Sequence, residues 1–273
     1  NKMVQNQYFS VLLQQHNKNK MANEEDYFIA SNSVGAINEE QYKKLDVLIH
    51  TTEAISRSLY QSVYLIDYYK KGFLYVSENP LFLCGHTAKE MKEMGYAFYS
   101  EHVPENEQQM LVEINSNGFK FFETKIAPED KHKCYISYDF HIMLDGNRKV
   151  LINHKLTPIL LTEDGRIWIA MCIVSLSSQS TSGHIEFHIE GSQKYWKYDL
   201  DFHKWREKEM IQLKEEEKQV LTLCSQGLTM NEIADKMCKS IDSIKFYRRT
   251  LFEKIGTKNI TEALSFATTY KLL

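Results

Sequence analysis

The residues best suited to chemistry lie near the C-terminal end, and the chemistry they suit is grip on a polyanion rather than bond breaking. Over residues 239–258 the cations Lys239, Lys245, Arg248, Arg249, Lys254 and Lys258 stand against only Asp242 and Glu253. The whole chain of 273 residues carries a formal net charge of −3, so attraction to nucleic acid has to be local. A cation that neutralises a phosphate releases counterions, and binding through such a patch weakens steeply as salt rises. An arginine such as Arg249 can also set two parallel hydrogen bonds on a guanine edge.

The elements that must hold these cations are readable around them. Val220, Leu221 and Cys224 share one face of a helix over 214–225, and Gly227 is a stop signal. Thr229 and Glu232 have capping-box spacing and open a short helix with Ile233, Ala234 and Met237. Ala234 is small where two crossing helices would approach closely. After a three-residue turn, Ser240 and Ser243 supply a hydroxyl cap for the next helix. Ile244, Tyr247, Leu251 and Ile255 repeat at helical spacing as its buried face, which leaves Lys245, Phe246 and Arg249 outside with Arg248 beside them. Gly256 ends that helix, and a last one begins near Thr261 with Ala263, Leu264 and Ala267. A short helix, a tight turn and a second helix with a cationic outer face make a reader of the DNA major groove.

A solvated helix face is the ordinary reading of a charge run, but here the whole string resembles the LuxR/FixJ-type helix-turn-helix. The resemblance rests on Leu213, Glu217, Val220 and Leu221, then Gly227, Leu228, Thr229, Glu232, Ile233 and Ala234, then Ser240, Ser243, Ile244 and Lys245, and finally Lys254, Ile255 and Gly256. It implies a sequence-specific, DNA-binding transcription regulator, working as a homodimer whose half-sites lie about one helical turn apart. It implies base-edge contacts at Lys245, Phe246 and Arg249, with phosphate contacts near Thr229, Ser240, Ser243 and Lys258. Glu217 is similar to the family's buried helix-locking carboxylate. Glu216 stands where the family often has arginine, and Tyr247 where it often has histidine. Candidate dimer surfaces are the last helix, with Ala263, Phe266, Ala267 and Tyr270, and a helix expected over 38–59.

Upstream, residues 1–37 are polar, with one apolar cluster at Tyr8, Phe9, Val11, Leu12 and Leu13 that could form a short helix. Tyr42, Leu45, Leu48, Ile49, Thr52, Ile55 and Leu59 recur at helical spacing. Residues 62–67 and 73–77 then read as strands around a Lys-Lys-Gly turn, and 80–118 as short helices. Strands over 135–144, 149–161 and 167–176 follow, the first two joined at Asp145-Gly146-Asn147. The expected fold class is α+β: a five-stranded antiparallel sheet with helices on one face, followed by an all-α four-helix unit. The order resembles a PAS sensor domain, supported by Asp67, by the run from Tyr75 to Asn79, by the run from Leu83 to Thr87, and by His102-Val103-Pro104. The resemblance also extends to sensory regulators of Bacteroidetes.

Four segments are expected: an N-terminal helical segment over 1–60, the PAS-like domain over 61–180, a linker with an aromatic hairpin over 181–208, and the DNA-binding unit over 209–273. The hairpin over 185–198, with Phe202 and Trp205 as anchors, could stack on nucleic acid, but structural bridging is the preferred reading. A PAS sheet usually holds a ligand, cofactor or partner against its inner face, and the candidate pocket is Tyr64, Phe82, Phe98, Phe140, Ile142, His154, Ile169 and Met171. His86, His102, His141 and His154 could offer an axial ligand, yet a lone histidine in a sheet or turn is usually a satisfied polar residue. Cys84 does not match the LOV flavin motif, so neither haem nor flavin is expected. The competing reading is a constitutive DNA binder whose PAS-like domain docks another protein.

No P-loop, GxSxG elbow or HExxH pair occurs, and no nucleophile, base and orienter share a motif, so the chain is read as a non-enzyme. The five cysteines form no CxxC pair and suit free thiols in a reducing compartment. The longest strongly apolar run, 167–176, is about half of the roughly 20 residues a membrane span needs. No export segment is apparent, and the cytoplasm is the expected compartment.

Overall fold

The computed structural model describes residues 22–144, 148–270 and 272. The expected helix around Tyr8–Leu13 and the turn at 145–147 lie outside the described residues. The chain divides into two compact units, one ending at Lys208 and the other spanning Glu209–Leu273.

In the first unit the apolar repeat over 38–59 forms two helices rather than one, α1 (Glu39–Lys43) and α2 (Leu45–Ser56). Asn38 caps α1 by accepting from the Gln41 amide at 2.8 Å. Contacts with the sheet then fix the path. The Tyr42 hydroxyl donates to Asp67 at 2.6 Å, and Leu45 packs with Leu65, Trp168 and Ile169.

Strands β1 (Ser62–Asp67) and β2 (Gly72–Val76) follow, then helices α3 (Pro80–Leu83), α4 (Ala88–Met94), α5 (Ala97–His102) and α6 (Glu105–Lys125). The last is a single helix of 21 residues that runs on past residue 118, where the expected stretch of short helices ended. A Cβ there would lie 2.9 Å from Ile136 Cδ1, so close approach to the sheet accounts for the glycine. Strands β3 (Cys134–Leu144), β4 (Arg148–Leu161), β5 (Ile167–Leu176), β6 (Gly183–Ile189), β7 (Lys194–Asp199) and β8 (Lys204–Glu209) complete the unit.

The five expected strands pair in the order β2-β1-β5-β4-β3, and β6, β7 and β8 continue the same sheet beyond β3. The sheet therefore has eight strands, because the aromatic hairpin joins it edge-on through β6 and β3. Trp205 is an anchor, its ring 4.7 Å from Phe121 and 5.0 Å from Tyr198. Phe202 is not: it sits in the turn between β7 and β8, 65% exposed, with Lys204 and Arg206 each 5.2 Å from its ring.

Helices α4 to α6 cover one face of the sheet. Tyr64, Phe82, Phe98, Phe140, Ile142 and Ile152 are fully buried there, each contributing about 1.5–3 kcal/mol of apolar burial. α2 covers part of the other face, over Leu65, Trp168 and Ile169.

The second unit holds α7 (Glu215–Ser225), α8 (Met230–Met237), α9 (Ile241–Ile255) and α10 (Ile260–Thr269). Two small clusters tie it together: Val220, Leu223, Ile233, Ala234 and Ile244 in one, and Leu221, Leu251, Ile255, Ala263 and Ala267 in the other. Ala263 and Ala267 have no exposed surface and belong to the interior, while Phe266 of the same helix and Tyr270 at its end are half-buried. Among the described residues no helix is long and apolar enough to cross a membrane.

Candidate nucleic-acid interface

The helix pair α8–α9 is built by capping. Thr229 and Glu232 form the reciprocal box: the Thr229 amide and hydroxyl each donate to Glu232 at 2.7 Å, and the Glu232 amide returns to Thr229 Oγ at 3.4 Å. α8 ends on Cys238 in the left-handed region at φ +51°, which turns the chain into α9. Ser240 caps α9 by accepting from the Ser243 amide at 3.2 Å, and the two hydroxyls are 2.9 Å apart. Gly256, at φ +70°, closes the far end where a side chain would be strained.

Burial of Ile244, Leu251 and Ile255 sets the rotation of α9. Lys245, Phe246 and Arg249 then project outward, with Phe246 half exposed. The Arg249 guanidinium lies 5.6 Å from the Phe246 ring and 3.9 Å from Glu253, while Lys245 is 3.3 Å from Asp242. These exposed pairs are worth little and can be exchanged for phosphate or base contacts. Arg248 is half buried over the Phe252 ring at 5.1 Å. Lys245, Arg248, Arg249 and Phe252 together line an open concavity on this face. Lys239 before α9 and Lys258 after it are exposed.

Lys254 departs from the sequence reading. It turns inward and donates to Glu217 at 2.7 Å, so it locks the unit instead of adding to the outer charge. Glu217 is 2% exposed and also accepts from the Lys214 amide at 2.8 Å. Burial pushes its carboxyl pKa up, but the Lys254 bond and the Lys214 amide outweigh burial and hold the pKa below its ordinary value. No internal ion pair at Glu216 is needed.

Within the sheet-bearing unit, six of the eight candidate pocket residues come together. Tyr64, Phe82, Phe98, Phe140, Ile142 and His154 share the inner face, with the Tyr64 and Phe82 rings stacked at 4.6 Å. Ile169 and Met171 do not join them. Leu65 pairs with Met171 while Tyr64 pairs with Cys172, so the strand alternation sends Met171 to the face under α2, where Ile169 also packs.

Tyr64 is the centre of a buried polar chain, 2.6 Å from the Tyr99 hydroxyl and 2.5 Å from His154 Nε2. Burial drives the His154 imidazole down to about 3, so it is neutral, and among the described residues its Nδ1 has no hydrogen-bond partner. A cavity lies beside this chain rather than on it, between α6 and the sheet, lined by Ile114, Gly118, Phe122, Ile136, Tyr138 and Leu156. Tyr138 joins the two, its ring 4.8 Å from that of His154. Tyr99 and Tyr138 carried no sequence signal, since each sits in an ordinary helix or strand pattern. The other histidines are also engaged: His141 with Glu107 at 2.7 Å, and His86 with His102 at 3.0 Å.

Residues 212–267 match the family described as bacterial regulatory proteins, luxR family. Among solved structures the chain is similar to a phage VqmA–DPO complex, with 15% identity, coverage of 87% of this chain and 93% of that one, and a TM-score of 0.31. It is similar to the Vibrio cholerae VqmA dimer without target DNA, with 16% identity, coverage of 86% and 89%, and a TM-score of 0.32. A PAS domain from Colwellia psychrerythraea shares 13% identity over 49% of this chain and 97% of that one, at a TM-score of 0.33. No curated protein matches the chain. The luxR-family match lies wholly within the helical unit Glu209–Leu273 and spans α7, α8, α9 and most of α10.

Proposed function

We propose that the chain is a dimeric transcription regulator that reads DNA with the outward face of α9 and is gated by its PAS-like unit. Lys245, Phe246 and Arg249 meet base edges, and Arg248, Lys258 and the capped ends at Thr229, Ser240 and Ser243 meet phosphates. The observation that carries this reading is the fixed rotation of α9. Buried Ile244, Leu251 and Ile255 leave a cationic, aromatic stripe facing water.

Gating is supported by the inner-face polar chain. A buried imidazole nitrogen without a partner, next to a cavity, is where a small molecule adds a hydrogen bond that the apo protein lacks. Pairing of two copies is supported by α2 and the segment after it, where Val47, Ile55 and Tyr60 are apolar and 72%, 47% and 94% exposed.

The test uses duplexes selected by the wild-type chain from a random library. Lys245→Ala with Arg249→Ala should abolish retention of the selected sequence while thermal stability stays nearly unchanged. Undiminished affinity for the selected duplex would sink the contact assignment, and a stoichiometry of one chain per duplex would sink the dimer.

A further inference from the structure

Sixteen residues apart, His86 and His102 face each other with Nε2 atoms 3.0 Å apart. His86 lies in the loop between α3 and α4, and His102 is the last residue of α5. Both rings are half buried, open enough for exchange with solvent. His102 Nδ1 donates to the Met143 carbonyl at 3.2 Å, since a carbonyl can only accept. That bond fixes the His102 tautomer with its proton on Nδ1 and a lone pair on Nε2, directed at His86.

The pair as drawn is a hydrogen bond from one Nε2 to the other. We propose that it is also a two-histidine site for a late first-row divalent cation of the zinc, nickel or copper class. Two observations carry this. First, metal–nitrogen bonds of about 2.0–2.1 Å set two cis ligands about 2.9–3.3 Å apart in octahedral or tetrahedral shells, and the observed separation falls inside that range. Second, the bond from His102 Nδ1 to a backbone carbonyl is the outer support that metal-bound imidazoles use to fix ring orientation and raise basicity.

On binding, the proton between the two Nε2 atoms is lost to solvent and that imidazole takes up a proton on Nδ1, so both Nε2 lone pairs are free for an ion that sits off the line joining them. Among the described residues no group of three His, Cys, Asp or Glu side chains forms a metal cluster, so water fills the remaining positions and the site is of modest affinity. The ion would clip the loop after α3 to the end of α5. That segment carries Phe98, which packs 4.9 Å from the His102 ring, and Tyr99, which bonds to Tyr64. Metal occupancy would therefore stiffen the helices covering the inner face without entering it.

The test is zinc binding to the chelator-stripped full chain, read by competition with a chromophoric chelator. One zinc per chain is expected, weakened at least tenfold in both His86→Ala and His102→Ala and unchanged in Cys238→Ser, which removes the exposed thiol. Equal binding by the wild type and both histidine variants would overturn the proposal and mark the ion as adventitious. Absence of zinc binding by the wild type at millimolar metal would overturn it as well. Should a variant misfold, the wild type alone decides. Two imidazole ligands require affinity to fall by up to about a hundredfold per pH unit below their titration range, whereas a carboxylate site holds its affinity to about pH 5.

Discussion

Replacing Lys254 by Met strips the ammonium from Glu217 while leaving the carboxylate 2% exposed. A buried charge that loses its partner typically costs about 3–5 kcal/mol. Lys254 is 34% exposed and the Lys214 amide still donates, so the lower end, about 3 kcal/mol, is expected. The helical unit Glu209–Leu273 is of a size whose whole stability is roughly 3–10 kcal/mol, so the variant should approach unfolding. Glu217→Gln should cost only about 1 kcal/mol, because the amide oxygen keeps the Lys214 bond and Lys254 can turn to water.

The pH slopes should oppose each other. In the wild type the Glu217 pKa is lowered on folding, so its stability contribution is present above the unfolded pKa of about 4.3 and is lost as pH falls through the folded value. In Lys254→Met burial dominates and raises the pKa, so the variant gains stability as pH falls from 6 towards 4. Urea unfolding by far-UV circular dichroism reads both effects. All three tryptophans, Trp168, Trp196 and Trp205, precede Glu209, so their fluorescence follows the other unit alone and serves as an internal control. Equal costs for the two variants, or parallel pH slopes, would refute the lock.

Three further outcomes follow from local geometry. Burial first, with Glu186 adding, pushes the buried Asp139 carboxyl to about 6 despite bonds from Ser177 and Asn153. Its folded pKa is thus raised above the unfolded value, so the sheet unit should lose about 2–3 kcal/mol as pH rises from 4 to 6. Asp139→Asn should flatten that window in tryptophan-monitored urea midpoints, and an unaltered profile would exclude Asp139 as the source. Cys238→Gly relieves a left-handed residue at φ +51° and should raise the stability of the helical unit by about 0.5–1 kcal/mol; a lower melting temperature would show that no strain is held there. Gly118→Ala trades a helix-propensity gain of about 1 kcal/mol against contact with Ile136 Cδ1, a flexible end beside the cavity. A small net gain in the urea midpoint is expected, and a loss above 1 kcal/mol would show that Ile136 cannot move.

The parts legible in the sequence were those where one residue type has one job. Caps at Thr229 and Ser240, the glycine stop at Gly256 and the period of Ile244, Leu251 and Ile255 each point to a single local arrangement, and they set the outward face of α9. Features that depend on distant partners were not legible. Lys254 reads as one more surface cation until Glu217, 37 positions away, closes on it. Gly118 carries no signal of its own in the sequence, and only the approach of Ile136 shows why a residue without a side chain suits α6 there. Ile169 and Met171 are as apolar as true inner-face residues, and only strand pairing assigns them to the other face. β8 has almost no apolar alternation, and its strand character comes from the neighbour it extends. His86 and His102 each fall in a stretch that resembles a PAS domain, but nothing in the sequence pairs one with the other.

The extension of the sheet past β3 bears on solubility. A five-stranded sheet ending at β3 would leave the stretch Cys134–Asp139, which β6 now pairs, as an open edge with Ile136 buried beneath it, the kind of edge that recruits strands from other molecules. Instead, among the described residues, the sheet ends on β8, six residues long and reading Lys-Trp-Arg-Glu-Lys-Glu, with all but Trp205 exposed. Strand addition there would bring like charges and desolvated lysines together. The outer strands thus act as a guard rail, so that a crowded, newly made chain is discouraged from growing into fibrils along this edge.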